Sequence, residues 1–261
     1  MRYLALFRVF FRTSIQTDME YRVDFFSRII ASLLALLTTM AGLNIAFTYT
    51  SSIKGWSFSQ VMVLLSVYYL MDGLIEMFIA PNMRNIMAQV REGTLDFLLL
   101  KPVPVQFLAT FRTVNIWRMV NVLVALGLSI YTIGKLSLTI GGGEALTFAI
   151  TLAAGCGIIY SFWLVLVTLT FWFVRVDNIE QIIWQAFEAG RYPIEIYPVW
   201  LRNSLTYVVP VAFIITVPAK ALTGQIGLSY AFVSVCVSAF ALLLSSAFWR
   251  FGLKFYTGAS S

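Results

Sequence analysis

Residues 145–174 read ALTFAITLAAGCGIIYSFWLVLVTLTFWFV, a stretch without a single charged side chain. A helix needs roughly 20 apolar residues to cross the 30 Å or so of hydrocarbon in a lipid bilayer. This stretch is longer than that minimum and is bounded by Glu144 on one side and Arg175 on the other. It therefore predicts a transmembrane helix.

The rest of the chain has the same character. Of its 261 residues 60 % are hydrophobic and only 11 % are charged, and the mean hydropathy is +0.85, whereas soluble domains average about 25 % charged residues. We therefore expect an all-α membrane protein, with residues 1–261 forming one transmembrane domain. Five spans are clear, at about 27–50, 57–80, 107–134, 145–174 and 224–250.

A sixth span must come from residues 177–220, which are apolar but contain Pro193, Pro198, Pro210 and Pro218. Hydropathy alone would place it at 203–219 and leave 176–202 in the cytoplasm. Prolines interrupt helices, so the alternative is a broken, re-entrant element in this region.

The positions of the cations predict the orientation of the chain. If the N terminus is cytoplasmic, thirteen of the 18 Lys and Arg residues lie on the cytoplasmic side, as the positive-inside rule requires. Both termini are then cytoplasmic. The pI near 9.4 is explained by topology, and we expect no nucleic-acid partner. The cytoplasmic cations are Arg2, Arg8, Arg12, Arg22, Arg28, Arg84, Arg91, Lys101, Arg112, Arg118, Arg175, Arg250 and Lys254.

Before the first span, apolar residues recur at helical spacing, with Arg8 and Arg12 beside them. This pattern predicts an amphipathic helix lying along the inner membrane surface. The apolar positions are Leu4, Phe7, Phe11 and Ile15.

The chain contains no residue pattern for catalysis or nucleotide binding. Histidine is absent, which excludes a Ser–His–Asp triad, and Cys156 and Cys236 form no CxxC pair. There is no GxxxxGK[ST] loop, because Gly141–Gly143 is followed by Glu144 and Ala145. We therefore predict no enzyme activity, no metal and no cofactor in this chain.

The longest polar connection follows the second span. Met83, Ile86, Met87 and Val90 recur at i, i+3, i+4 and i+7, which predicts a short interfacial helix. Gly93 can end it in the left-handed conformation. Thr94 is expected to cap a second helix with Asp96 in its first turn, Lys101 at its end, and Pro102 and Pro104 beyond it. Residues 82–104 thus form either a rigid helix–Gly–helix elbow that binds a partner or a plain hairpin on the membrane surface.

Four charges lie within predicted spans, where ionisable residues usually face protein or water. Asp72 and Glu76 share one helical face, and Glu188 and Arg191 are three residues apart. They are candidates for a gate or translocation path. The structural alternatives are ion pairs of Asp72 and Glu76 with Arg112 or Arg118, and a local Glu188–Arg191 salt bridge.

The string REGTLDFLLLKPVP at 91–104 resembles the E-x-GTLE-x-LL-x-x-P signature of ABC-2-type transporter permeases, with Asp96 in place of the usual Glu. In that family the segment forms or borders the coupling helix, which docks into the ATP-binding subunit. The resemblance assigns this role to Arg91, Glu92, Gly93, Thr94, Leu95, Asp96, Leu99 and Pro102.

A second string, YPIEIYPVWLR at 192–202, resembles the family's YP-x4-P-x-WLR segment, and RVDNIEQ at 175–181 resembles its entry to the fifth span. Val209 stands where the family usually has Asn. The resemblance implies a short fifth span at 176–192 that lines the path, followed by re-entrant external helices at 200–222.

Membership of this family would make the chain the membrane subunit of an ATP-driven exporter in a bacterial inner membrane. It would pair with a second, identical or homologous permease and with two ATP-binding subunits that hold ATP and Mg²⁺. The aromatic, weakly charged spans suggest an amphipathic or lipid-like cargo. The alternatives are an ion-coupled transporter or channel using Asp72, Glu76 and Glu188, and a membrane scaffold that transports nothing.

Overall fold

In a computed structural model of the chain, residues 2–20, 22–136, 140–173 and 177–256 are described, and within them the protein is almost entirely helical. The helices are α1 (Arg2–Glu20), α2 (Arg22–Tyr49), α3 (Phe58–Leu74), α4 (Ala80–Arg91), α5 (Asp96–Leu99), α6 (Val105–Phe111), α7 (Met119–Leu136), α8 (Gly142–Leu169), α9 (Asp177–Glu188), α10 (Val199–Asn203), α11 (Val217–Leu222) and α12 (Leu228–Gly252).

Five helical segments are long and apolar enough to cross a membrane. They confirm the all-α membrane fold, and they coincide with the five clear spans except where noted below. A bent pair of helices would make a sixth crossing if it counts as one span. The segments are Ile29–Tyr49, Phe58–Arg91, Ile116–Gly134, Gly142–Leu169 and Leu228–Phe255.

The second span forms the centre of the bundle. It begins at a capping box, in which the Ser57 hydroxyl accepts from the Gln60 amide and the Gln60 side chain accepts from the Ser57 amide. Every α3 residue from Val61 to Gly73 is buried. Among the other spans, α7 packs most extensively against this helix, whereas α12 packs mainly against α8.

The helix of the second span does not end at residue 80. It continues through a π-helical turn, Ile75–Ile79, into α4 and ends at Arg91. The short helix predicted after the span is thus present as α4, but it is continuous with the helix of the span, and its place at the membrane interface stays a prediction. Pro81 lies inside this continuous helix and donates no N–H to the Met77 carbonyl four residues earlier. That carbonyl instead accepts from the Asn115 amide at 3.0 Å. The predicted apolar face of α4 is confirmed, because its residues Met83, Ile86 and Met87 are buried.

The third span, predicted as continuous over 107–134, is broken. Between α6 and the 3₁₀ turn at Ile116–Arg118 the chain is not helical, and Asn82 replaces the missing backbone bonds. Its side chain accepts from the Thr113 amide at 2.8 Å and donates to the Thr113 carbonyl at 2.6 Å. The Ser14 hydroxyl of α1 accepts from the Val114 amide at 3.1 Å. Buried backbone groups are thereby satisfied without a helix.

The helix predicted at the N terminus is present as α1. The side chains of Leu4 and Phe7 lie outside the described residues, while Phe11 and Ile15 are half-buried. Arg175, counted in the charge distribution, also lies outside the described residues.

The region of the fifth span contains two short elements. Helix α9 has 12 residues, about 18 Å at 1.5 Å per residue, and a 3₁₀ turn extends it to Arg191. Further on, Val199–Val208 and Ala212–Leu222 meet at 77° around Pro210. Which of them crosses the bilayer stays a prediction.

Candidate functional site

The elbow after the second span is built by a C-terminal helix cap. Gly93 has φ +69°, in the left-handed region. The Thr94 amide donates to the Gln89 carbonyl at 2.9 Å, and the Gly93 amide donates to the Val90 carbonyl at 3.3 Å. These two bonds define a Schellman motif. The predicted left-handed stop at Gly93 is confirmed.

The helix after the elbow is a single turn, Asp96–Leu99. Asp96 lies in its first turn, as expected, but Leu95 occupies the N-cap position without a side-chain cap bond. The prediction that Thr94 caps this helix was therefore wrong. Lys101 follows the helix instead of ending it, and its amide donates to the Leu98 carbonyl at 3.2 Å. The turn is too short for a cap or a dipole effect to matter, and packing holds it in place.

Two leucines attach this turn to the bundle, because Leu95 and Leu98 are buried in the main apolar core. Tyr256, beyond the last span, lies against the same turn. Burial raises the pKa of its phenol, and the Asp96 carboxylate raises that pKa further. A displacement of the turn must therefore displace core residues as well.

The opposite side of the turn is an exposed apolar surface. The side chains of Phe97 and Leu100 are 71 % and 82 % exposed, and Leu99 and Pro102 are exposed beside them. The family resemblance assigns a coupling role to Leu99 and Pro102 but not to Phe97 and Leu100. The signal was present in the run FLLL, because only some of four consecutive apolar residues can face inward on a single turn. We call Phe97, Leu99, Leu100 and Pro102 the elbow surface.

The two carboxylates of the second span are ion-paired. Arg118 Nη1 lies 3.2 Å from Asp72 Oδ2, and Arg118 Nη2 lies 3.7 Å from Glu76 Oε2. Arg84 Nη2 lies 3.0 Å from Glu76 Oε1. The predicted ion pairing of Asp72 and Glu76 with Arg118 is therefore confirmed. Arg84 is an additional partner of Glu76 that was not predicted, and Arg112, the other predicted partner, is exposed.

Arg84 also connects the second span to α9. Its Nε donates to Glu180 Oε1 at 2.7 Å, and its guanidinium lies 5.6 Å from the centre of the Trp163 ring. Arg84 is seven residues from Arg91, the last residue of α4 before the elbow. One side chain therefore links α4, Glu76 of the π turn and the helix expected to line the path.

The π turn exposes backbone groups that a regular helix would use. The Asn115 amide donates to the Met77 carbonyl at 3.0 Å, and the Asn115 side chain donates to the Glu76 carbonyl at 3.2 Å. π turns are frequently found at functional sites. This turn joins Glu76 to the broken start of the third span.

All four residues proposed for the path line a single cavity. Asp72, Glu76, Glu188 and Arg191 surround a space of about 200 Å³. Arg191 Nη2 lies 3.3 Å from Glu188 Oε1, so the local salt bridge is present. The rest of the wall is aromatic, polar or small: Ser32, Ala35, Tyr68, Tyr69, Arg118, Asn121 and Trp184.

The wall of the cavity has three carboxylates and two guanidinium groups, and the carboxylate of Glu76 is also paired with Arg84 from outside the wall. Its arginines, Arg118 and Arg191, each pair with a carboxylate of the wall, and the Arg191 guanidinium also lies 5.1 Å from the centre of the Tyr68 ring. Among the described residues no group of His, Cys, Asp and Glu is arranged to hold a metal ion. The arrangement suits a polar path or a switch of ion pairs better than a cation site.

A bundle of helices long and apolar enough to cross a membrane indicates a multi-pass membrane protein, and this one has an exposed apolar elbow surface and a polar cavity. The model of the family described as ABC-2 family transporter protein matches residues 33–260, and the chain belongs to that family. Members are membrane components of ABC transporters and associate with ABC ATP-binding subunits. No curated protein matches the chain.

Proposed function

We propose that this chain is the permease subunit of an ATP-driven exporter in a bacterial inner membrane. Two permeases, identical or homologous, form the pathway, and two separate ATP-binding subunits hold ATP and Mg²⁺. Both termini of the chain are cytoplasmic, and the cargo is amphipathic or lipid-like. The elbow surface carries the proposal. Exposed apolar side chains on such a turn mark a contact with a protein or a membrane, and the association of this family with ATP-binding subunits favours the protein.

The elbow residues divide into two roles. Phe97, Leu99, Leu100 and Pro102 contact the ATP-binding subunit, while Leu95 and Leu98 transmit its movement to the core. Gly93 and Thr94 fix the angle of the turn through the Schellman bonds. Arg91, Glu92 and Asp96 supply charge around the contact.

The movement reaches the cavity through Arg84. A shift of α4 changes the Arg84–Glu76 and Arg84–Glu180 distances, and Glu76 is itself part of the cavity wall. The ion pairs of Asp72, Glu188 and Arg191 then rearrange, and the path alternates between the two faces of the membrane.

The ion-coupled alternative relies on carboxylates that are free to bind a cation or a proton. Asp72, Glu76 and Glu188 are each paired with an arginine, and such pairs leave no uncompensated carboxylate for an ion. The ion pairs therefore favour the ATP-driven mechanism over this alternative.

The proposal is tested by co-purification from the native host membrane. The double variant Phe97→Glu/Leu100→Glu places two carboxylates on the elbow surface and is expected to reduce co-purifying ATP hydrolysis at least tenfold. Arg112→Glu, an exposed change in the following loop, is the matched control and should retain it. Equal ATP hydrolysis with the double variant and the control, or none with the wild type, would contradict the proposal.

A further inference from the structure

The last span ends in a group of aromatic and basic side chains that belong neither to the elbow surface nor to the cavity. A 3₁₀ turn, Leu253–Phe255, follows α12. Arg250 and Lys254 are exposed at this end, and so are Phe251 and Phe255. We call these four residues the terminal surface. The cations are four positions apart and so are the rings, so that each pair lies on one side of the helix.

Stacking against the end of α8 holds the aromatic half of the terminal surface in place. The centre of the Trp172 ring lies 5.4 Å from that of Phe255 and 6.1 Å from that of Phe251. A side chain at Gly252 would lie 2.5 Å from the methyl group of Thr168, so α12 and α8 are in close contact there. The shape of the terminal surface is therefore preformed.

The basic half of the terminal surface has no counter-charge within the part of the chain that the structure describes. The side chains of Arg250 and Lys254 form neither an ion pair nor a hydrogen bond with a described residue. Their N–H groups are therefore available to an anion from outside the protein. Other cations of the chain are paired with a carboxylate: Arg84, Arg118, Arg191 and Lys220.

An apolar stripe on α12 leads up to these two cations. It consists of exposed residues, each of which has another three or four positions away, so they lie on one side of the helix. The stripe begins ten residues before Arg250, which is about 15 Å along the helix axis. Half of the bilayer hydrocarbon is also about 15 Å thick. The stripe therefore has the length of one leaflet. Its residues are Phe240, Leu243, Leu244, Ala247 and Phe251.

A phospholipid fits this arrangement better than a second copy of the chain. Its acyl chains lie in hydrocarbon and its phosphate lies at the edge, which is the order of the stripe and the cations. Two copies in the same orientation, packed through this face about a two-fold axis, would bring Arg250 and Lys254 close to the same residues of the other copy. Like charges would then repel. Aromatic rings next to cations are also typical of the membrane–water interface.

We propose that the terminal surface and the stripe bind one anionic phospholipid. Arg250 and Lys254 donate to its phosphate, and one acyl chain lies along the stripe with its glycerol end beside the rings of the terminal surface. A zwitterionic lipid carries a cation of its own, which weakens the contact with the two basic side chains. The inference rests on the membrane fold and requires neither ATP nor another subunit.

The test compares two photoreactive lipids, present in trace amounts in neutral-lipid nanodiscs that contain the purified full chain. One is a phosphatidylglycerol and the other a phosphatidylcholine, each with a diazirine near the ester of one acyl chain. Peptide mass spectrometry measures the labelling of residues 247–256 and of residues 228–235, the opposite end of α12, which has no charged side chain. We expect phosphatidylglycerol to label 247–256 at least fivefold more than phosphatidylcholine does, and the two lipids to label 228–235 equally.

Arg250→Gln/Lys254→Gln changes two exposed side chains and should abolish the preference at 247–256, with folded protein retained on gel filtration. Lys101→Gln/Arg112→Gln removes two other exposed cations and is the matched control, which should retain the preference. Equal labelling of 247–256 by the two lipids in the wild type, or equal loss of preference in both double variants, would overturn the proposal. Absence of label at 247–256 with either lipid would show that protein covers the terminal surface and would overturn it too.

Discussion

Removing the charge of Arg84 is expected to separate two functions of this protein, assembly with its ATP-binding partner and transmission of movement. Arg84→Gln leaves the elbow surface unchanged, because that surface begins at Phe97. It breaks the contacts with Glu76 at 3.0 Å and with Glu180 at 2.7 Å. We expect co-purification with the ATP-binding subunit to persist and transport to fall.

The loss of stability follows from burial. Breaking a buried ion pair costs about 3–5 kcal/mol, whereas an exposed pair contributes less than about 1 kcal/mol. The side chain of Arg84 is 42 % exposed and that of Glu76 is 8 % exposed, and Arg118 still contacts Glu76 at 3.7 Å. Arg84→Gln should therefore cost about 2 kcal/mol, and Glu180→Gln about 1 kcal/mol. The two changes share one contact, so the double variant should cost less than their sum.

These effects are measured by thermal unfolding in detergent. Unfolding is monitored by the chemical reactivity of the Cys156 thiol, in a Cys236→Ser background. A loss of 2 kcal/mol corresponds to roughly 6 °C for a chain of this size. Arg112→Gln, at an exposed position, is the control and should change the midpoint by less than about 1 °C. Strict additivity in the double variant, or equal shifts for Arg84→Gln and Arg112→Gln, would refute the reasoning.

Three further substitutions test other parts of the structure. Gly93→Ala forces a residue with a Cβ into the left-handed region and should cost about 1 kcal/mol; a thermal midpoint equal to that of the wild type would disprove the Schellman turn. Asn82→Leu leaves the Thr113 amide unpaired and should lower the free energy of unfolding by about 2 kcal/mol, and an unchanged thermal midpoint would contradict this role. Glu188→Ala removes the Arg191 salt bridge at the cavity and should lower export of cargo while the complex still co-purifies; unchanged transport would remove Glu188 from the path.

The apolar part of the fold was predictable because membrane insertion depends on composition. The stretch 145–174 and the last span could be identified by counting uncharged residues, and the helices there follow closely. The stop at Gly93 was predictable for a related reason, since few residues other than glycine adopt a positive φ. Both features depend on residues close together in the chain.

The features that were missed depend on residues far apart. The break at 112–115 is stabilised by Asn82, about 30 positions earlier, and Arg84 pairs with Glu180, 96 positions later. The π turns have the composition of ordinary helix, so hydropathy does not reveal them. The pairing of Asp72 with Arg118 could be predicted from their charges. That this pair lines the same cavity as Glu188 and Arg191 could not, because it depends on how α9 packs against α3.

The central claim is that the movement of this membrane protein is driven by ATP hydrolysed in another subunit. It is tested most directly with an environment-sensitive fluorophore on Ser32→Cys, a cavity position outside the ion pairs, in a Cys156→Ser/Cys236→Ser background reconstituted in liposomes. The account predicts a change in emission when the ATP-binding subunits and MgATP are present, and none with a proton or sodium gradient across liposomes that contain this chain alone. A change in emission driven by the ion gradient alone would contradict it.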